Sequence, residues 1–106
     1  MIVVTSETIA NKRIVRTLGL VRGNTVRARH IGKDIMAGLR NIVVGEVYEY
    51  AKLIGESREQ SIDRMVTEAA ELGANAIIAT RFTTSVMMGG AAELLAVGTA
   101  VIVEDS

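Results

Sequence analysis

The sequence predicts one α+β domain, residues 1–106, with strands and helices in the order β-β-α-α-β-β. Apolar residues recur every three to four positions from about Tyr48 to Leu72, which indicates a long amphipathic helix. Two alternating stretches follow, Ala76 to Met87 and Leu94 to Val103, joined by a glycine turn. These observations predict an antiparallel sheet packed against a long helix.

The first part of the chain is rich in β-branched residues. Ile2 to Val4 predicts a short strand, and Lys12 to Arg29 predicts a long one that is interrupted by Gly19 and Gly23. A glycine within a strand marks a bulge, a bend or a tight turn. We favour one bent strand over a hairpin at Gly23 and Asn24, because the alternation continues on both sides.

After His30, the spacing of the apolar residues changes from every second position to every third or fourth position, as in a helix. A short first helix is predicted to end near Gly45, on apolar positions Ile31, Ile35, Leu39 and Ile42. The second helix contains Gly55, and a capping box at Ser57 and Gln60 could begin a new helix there. We favour a continuous helix because the apolar spacing runs through Gly55. Gly73 is predicted to cap its C-terminus.

The last two strands should be antiparallel and apolar on both faces, so both faces of the sheet are expected to be covered. The alternation predicts that Ala76, Ile78, Thr80 and Phe82 share one face, and that Ile77, Ala79, Arg81 and Thr83 share the other. Gly89 and Gly90 are predicted to form the hairpin loop between the strands.

Composition excludes several classes of function. Twelve basic and twelve acidic residues give no net charge, so we expect no partnership with nucleic acid or a membrane surface. The chain has no cysteine, and the stretch from Met1 to Ser6 lacks the basic start and apolar core of a signal peptide. A cytoplasmic protein is expected. With only three aromatic residues, the core must be built from small and aliphatic side chains.

A helix of about 25 residues is about 37 Å long, as long as a domain of this size is wide. One sheet from the same chain can hardly cover such a helix, and the chain has no proline to protect its sheet edges. We therefore expect a homo-oligomer.

Several segments of the chain form a pattern when taken in order; its residues are Leu18, Gly19, Val21, Gly23, Ile31, Asp34, Arg40, Ile42, Val43, Gly45, Leu72 to Ala76 and Gly98 to Val101. This pattern resembles the YbjQ-like family of small bacterial and archaeal proteins, often labelled heavy-metal-binding. The family usually has a glycine pair and an aspartate after the first helix, where this chain has Val44, Gly45 and Asn41. The resemblance implies a dodecin-like subunit and a ring-shaped homopentamer.

Few side chains could bind a soft metal ion, because the chain has no cysteine, one histidine and five methionines. Met36 and Met65 lie on apolar helical positions and are predicted to be core residues. Met87 and Met88 would face opposite sides of a strand. We predict no metal site within one chain and no cofactor. A ring could gather copies of His30 on its axis, but we favour the plainer interpretation that His30 starts the helix with Asp34 as its charge partner.

No catalytic constellation is present. The sequence lacks a Gly-x-Ser-x-Gly elbow, and the glutamate pairs Glu56–Glu59 and Glu68–Glu71 are predicted to be solvated. A basic cluster could hold an anion near a helix start, but we favour a solvated charged face; the cluster consists of Arg22, Arg27, Arg29 and Lys33.

Three hypotheses about function remain. The first, which we favour, is a non-enzymatic oligomeric binding or scaffold protein. The second is a ring that binds a metal or a small anion at repeated positions. The third is an enzyme with a site between two subunits, lined by Arg29, His30 and Asp34.

Overall fold

The computed structural model describes residues 1–28, 44–86 and 91–106. The first predicted helix and the glycine turn at residues 89 and 90 lie outside these ranges. One helix packs on a four-stranded sheet of order β1-β3-β4-β2. The elements are β1 (Ile2–Val3), β2 (Lys12–Ala28), α1 (Val44–Glu71), β3 (Ala76–Val86) and β4 (Ala91–Asp105). The α+β class is confirmed.

The sheet is mixed, so the prediction of an antiparallel sheet is wrong for one strand. β1 pairs parallel with β3, through Ile2 with Ala76 and Val3 with Ile77. β4 pairs antiparallel with both β3 and β2, which confirms the predicted orientation of the last two strands. A two-residue strand carries no sequence pattern that identifies its partner or its direction, and β1 lies at the sheet edge beside β3.

The long strand β2 is continuous, as predicted. It pairs with β4 from Lys12 opposite Asp105 to Ala28 opposite Ala91. The pairing register shifts between Ile14 and Arg16 and again between Thr17 and Gly19. The interruption expected at Gly19 is therefore a local irregularity, whereas the ladder passes through Gly23 without a break.

Helix α1 is also continuous. It runs through Gly55, which confirms the predicted single helix there, and it is described from Val44, four residues before the predicted start near Tyr48. A narrow stripe of small or unbranched side chains is buried against the sheet, formed by Ser57, Ser61, Met65 and Ala69. Leu72, predicted to lie on the apolar face, is 47% exposed just after the helix ends.

The C-terminus of α1 is closed by a Schellman motif, as the glycine predicted. The Gly73 amide donates to the Ala70 carbonyl at 3.0 Å, and the Ala74 amide donates to the Ala69 carbonyl at 3.0 Å. Gly73 has a φ of +87°, a left-handed conformation that residues with a Cβ adopt at a cost of about 1–2 kcal/mol. Two residues later, the Asn75 side chain makes two hydrogen bonds with the Val103 backbone of β4. Its Nδ2 donates to the Val103 carbonyl oxygen, and its Oδ1 accepts from the Val103 amide.

We expect Gly73→Ala to lower the free energy of unfolding by about 1–2 kcal/mol. Gly55→Ala is the matched control, because a Cβ at Gly55 would have no heavy atom within 4 Å. It should raise stability by about 0.5–1 kcal/mol through helix propensity. Urea denaturation followed by circular dichroism, at one protein concentration, measures both changes. Equal effects of the two substitutions would contradict the left-handed cap.

The core between α1 and the sheet is small. It consists of Val21, Met65, Ala69, Ile77, Ala96 and Ala100, and it confirms a core of small and aliphatic residues. A Cβ at Gly23 would lie 2.2 Å from the Ser61 carbonyl oxygen and 2.5 Å from the Met65 amide nitrogen. The backbones of β2 and α1 therefore touch at Gly23, which is why the strand carries glycine there. A second, smaller cluster on the opposite face joins Val101 and Val103 to Ile9.

A bulge in β3 overturns the predicted distribution of its side chains. Ile78 pairs with Thr99 and Arg81 pairs with Val97, so two residues of β3 stand opposite Gly98. Ala79, the first of the two, has a φ of +54°. The extra residue reverses the alternation beyond it. Phe82 consequently lies on the α1 side with Ile77, while Arg81 and Thr83 lie on the other face with Ile78 and Ala76.

The chain is elongated. Its extents are 55 × 22 × 16 Å and its radius of gyration is 17.3 Å. A compact domain of this length has a radius of gyration of about 13 Å. In the described ranges, one helix covers one side of an elongated single layer of sheet, and several apolar side chains on the other side are exposed.

Candidate functional site

The face of the sheet opposite α1 is a candidate site. We call it the open sheet face, formed on β2 by Leu20, Arg22 and Val26, on β4 by Leu95 and Val97, and on β3 by Arg81. Leu20 is 65% exposed and Val26 is 53% exposed, while Leu95 and Val97 are half-buried. Contiguous exposed apolar surface of this kind marks an interaction site.

The register of the three strands aligns these residues in rows across the sheet. Val97 pairs with Arg22 on one side and with Arg81 on the other, so two guanidinium groups flank an apolar centre. The next rows bring Thr83 and Asn24 beside Leu95. The Arg81 guanidinium donates to the carbonyl oxygens of Thr5 and Thr80, at 2.7 Å and 2.8 Å. The open sheet face thus has an apolar middle between Arg22 and Arg81, and it also carries one acidic residue, Glu93, opposite Val26.

The other side of β3 is also incompletely covered, because α1 packs mainly over β2 and β4. Phe82 lies on that side, opposite Ala96 of β4, and is 41% exposed. On α1 itself, Ile54 and Ile62 are half-buried. Apolar surface is therefore left uncovered on both sides of the sheet.

Three hydroxyl side chains are buried where α1 meets β2. The Thr25 hydroxyl donates to the Ser57 carbonyl at 3.2 Å and lies 3.1 Å from the Ser61 hydroxyl. Ser61 in turn donates to the Leu94 carbonyl at 3.1 Å. Ser57, Ser61 and Thr25 are at most 3% exposed. Buried hydroxyls that find partners on a neighbouring element fix its position. The cluster sets the register of α1 on the sheet.

Two ion pairs join the ends of β2 and β4. Lys12 binds Asp105, and Arg13 binds Glu104 at 3.2 Å. The hydrogen bond from the Lys12 ammonium, together with its positive charge, lowers the pKa of Asp105 below its ordinary value. Both groups are solvent-accessible, so the ion pairs help to align the ends of the two strands but contribute little to the free energy of unfolding.

The Asp105 pair gives a prediction about pH. A carboxyl whose pKa is lowered in the folded chain contributes stability above its unfolded pKa and loses that contribution as pH falls through the folded pKa. We expect an NMR titration to place the Asp105 midpoint lower in the wild type than in Lys12→Met. Arg16→Met, a charge removal on the same strand without this contact, is the control. Identical midpoints in wild type and Lys12→Met would contradict the pairing.

The structure tests only some of the residues considered from the sequence. Met65 is fully buried, which confirms its assignment to the core. Glu56, Glu59 and Glu71 are exposed and Glu68 is half-buried, largely as predicted for a polar face. Arg22 is exposed on the open sheet face. The remaining candidates lie outside the described residues: Arg29, His30, Lys33, Asp34, Met36, Met87 and Met88.

Within residues 1–28, 44–86 and 91–106, no group of three or more His, Cys, Asp or Glu side chains could hold a metal ion. In the same part of the chain, no helix has the length and apolar character needed to span a membrane.

Known proteins resemble this chain over almost its whole length. A family model described as "Putative heavy-metal-binding" (YbjQ) matches residues 1–104. The chain belongs to this family. A UPF0145 protein of Dehalococcoides mccartyi is 57% identical over 104 residues, covering 98% of this chain and 100% of the relative. A UPF0145 protein of Methanosarcina acetivorans is 55% identical over 101 residues, covering 95% of each.

A solved structure supports the fold of this YbjQ-family chain. The crystal structure of a protein of unknown function of the DUF74 family, from Pediococcus pentosaceus, superposes with a TM-score of 0.67. The match covers 98% of both chains at 13% sequence identity, so it bears on the fold alone.

Proposed function

We propose that this YbjQ-family chain is a non-enzymatic, homo-oligomeric binding or scaffold protein of the cytoplasm. The observation that carries the proposal is the open sheet face, where Leu20 is 65% exposed and Val26 is 53% exposed, in a chain only 16 Å deep along its shortest extent. Burying apolar surface in water is favourable by about 25 cal/mol per Å², so copies of the chain gain by covering it.

The ring is the assembly that we propose, with five dodecin-like subunits. The family resemblance supports the number five and the dodecin-like subunit. The α1 helix on one side of the sheet supports such a subunit, because the opposite side remains for contact with other copies. A cyclic assembly covers such a face in every copy and leaves no terminal subunit exposed.

Metal binding is the second candidate, and the description of the family model favours it. In this version copies of His30 meet on the axis of the ring and supply imidazole ligands, which suit Zn²⁺ and Cu²⁺. The scaffold proposal requires no such ion.

Native mass spectrometry of protein purified from its own source tests both versions together. The favoured proposal predicts a mass of five chains, with bound species unchanged by His30→Ala. The metal version predicts added mass from Zn²⁺ or Cu²⁺ after incubation, lost in His30→Ala but kept in Met65→Leu, a conservative core control. A single chain at micromolar concentration would contradict both versions.

A further inference from the structure

Charge is segregated between two elements of this neutral chain. β2, residues 12–28, contains five basic residues and no acidic residue. α1 contains seven acidic residues against three basic ones. When one molecule carries a basic surface and a separate acidic surface, the basic surface of one copy is complementary to the acidic surface of another.

Within the described residues, no ion pair joins α1 to β2. The buried stripe of α1 that faces β2 is uncharged, and a basic α1 side chain also bonds to β2: Arg64 donates to the Asn24 carbonyl oxygen at 2.5 Å. The acidic residues Glu56, Glu59 and Asp63 lie on the side of α1 that faces away from the sheet, and all three are exposed. We call this surface the outer helix face.

The existing ion pairs leave both surfaces free. In residues 1–28, 44–86 and 91–106, the ion pairs are those of Lys12 and Arg13 with the end of β4. Arg22 has no ion pair in that part of the chain and lies on the open sheet face, beside Val97 and two residues from Leu20. Glu56, Glu59 and Asp63 likewise have no ion pair there.

We infer that the outer helix face of one copy packs on the open sheet face of the next, with Glu59 and its acidic neighbours meeting Arg22. The inference rests on the proposed homo-oligomer and assigns its contact surfaces. The contact joins two different surfaces, so it is heterologous and closes into a ring when its rotation allows. Covering Leu20 supplies apolar burial, while the charges orient the helix on the sheet.

Charge reversal tests the pairing. Arg22→Glu and Glu59→Arg should each weaken association by about tenfold or more, because each places like charges together. The double variant, Arg22→Glu with Glu59→Arg, should recover most of the lost affinity. Glu7→Arg is the matched control: Glu7 is exposed and belongs to neither surface, so its reversal should leave association unchanged. Sedimentation equilibrium from low to high salt measures each dissociation constant, and circular dichroism checks the fold.

The outcomes separate this inference from the proposal on which it rests. A monomeric wild type would overturn the homo-oligomer itself. An oligomeric wild type whose association is unaffected by both single reversals would overturn the assigned surfaces and leave the oligomer intact. Failure of the double variant to recover affinity would also overturn the pairing of Arg22 with Glu59. Weakening by each single variant, recovery by the double variant and weaker wild-type association at high salt are the expected results.

Discussion

Gly23→Ala should lower the free energy of unfolding by about 3 kcal/mol, the upper end of what overpacking usually costs. The added Cβ would lie 2.2 Å from the Ser61 carbonyl oxygen and 2.5 Å from the Met65 amide nitrogen. Both are backbone atoms, so relief requires α1 to move away from β2. That movement would also pull Ser61 away from Thr25 and from the Leu94 carbonyl.

Asn24→Ala provides the control for Gly23→Ala. Asn24 is the next residue of β2, is exposed, and accepts the Arg64 hydrogen bond through its backbone oxygen, which the substitution keeps. Its effect should stay within about 0.5 kcal/mol. Guanidinium denaturation at one protein concentration compares the two, because association adds to apparent stability. Similar losses from both variants would contradict the close contact of helix and strand.

Leu20→Arg should convert the oligomer into a monomer at micromolar concentration. Leu20 is 65% exposed in the single chain, so the substitution should leave the subunit fold intact. In the proposed assembly the helix of the next copy covers this position, so the substitution removes the apolar burial of Leu20 and adds a side chain too large for the contact. Arg22 lies two residues further along the strand, so the new positive charge would also be repelled by its neighbour.

Leu72→Arg is the control for Leu20→Arg. Leu72 is 47% exposed, but it lies at the end of α1, away from the open sheet face. Light scattering after size exclusion should give the oligomer mass for Leu72→Arg and a mass near 11.3 kDa for Leu20→Arg. Retention of the oligomer by Leu20→Arg would remove the open sheet face from the interface.

Local signals in the sequence predicted much of the fold. The apolar spacing through Gly55 predicted one helix, and the helix does continue there. Gly73 predicted a cap because few other residues adopt its backbone conformation. The alternation on both sides of Gly23 predicted one strand, although the reason for that glycine, contact with Ser61, is a property of the packed chain.

Features that depend on pairing were not predictable. The bulge at Ala79 is invisible in the sequence because the residues around it alternate regularly, so Phe82 was assigned to the wrong face. The parallel pairing of β1 depends on where the chain enters the sheet. Ser57 was weighed as a helix cap, whereas it is buried beside Thr25 within the helix. Ser57 and Ser61 are four residues apart, and this helical spacing was the sequence signal that placed both on one face of the helix.

The candidate site, like the fold, was only partly predictable from the sequence. The sequence revealed that both sheet faces are apolar, but which of the two α1 covers became clear only from the fold. The sequence also contained the charge segregation between β2 and α1, although its meaning depends on which α1 residues face away from the sheet. His30 and its basic neighbours lie outside the described residues, so the anion and metal hypotheses built on them stay predictions.

Light scattering of the untagged wild-type protein across micromolar concentrations tests most directly whether copies of the chain cover the open sheet face. We predict a constant mass of five times the 11.3 kDa chain. A mass of 11.3 kDa throughout that range would contradict the account, because Leu20 and Val26 would then remain in water.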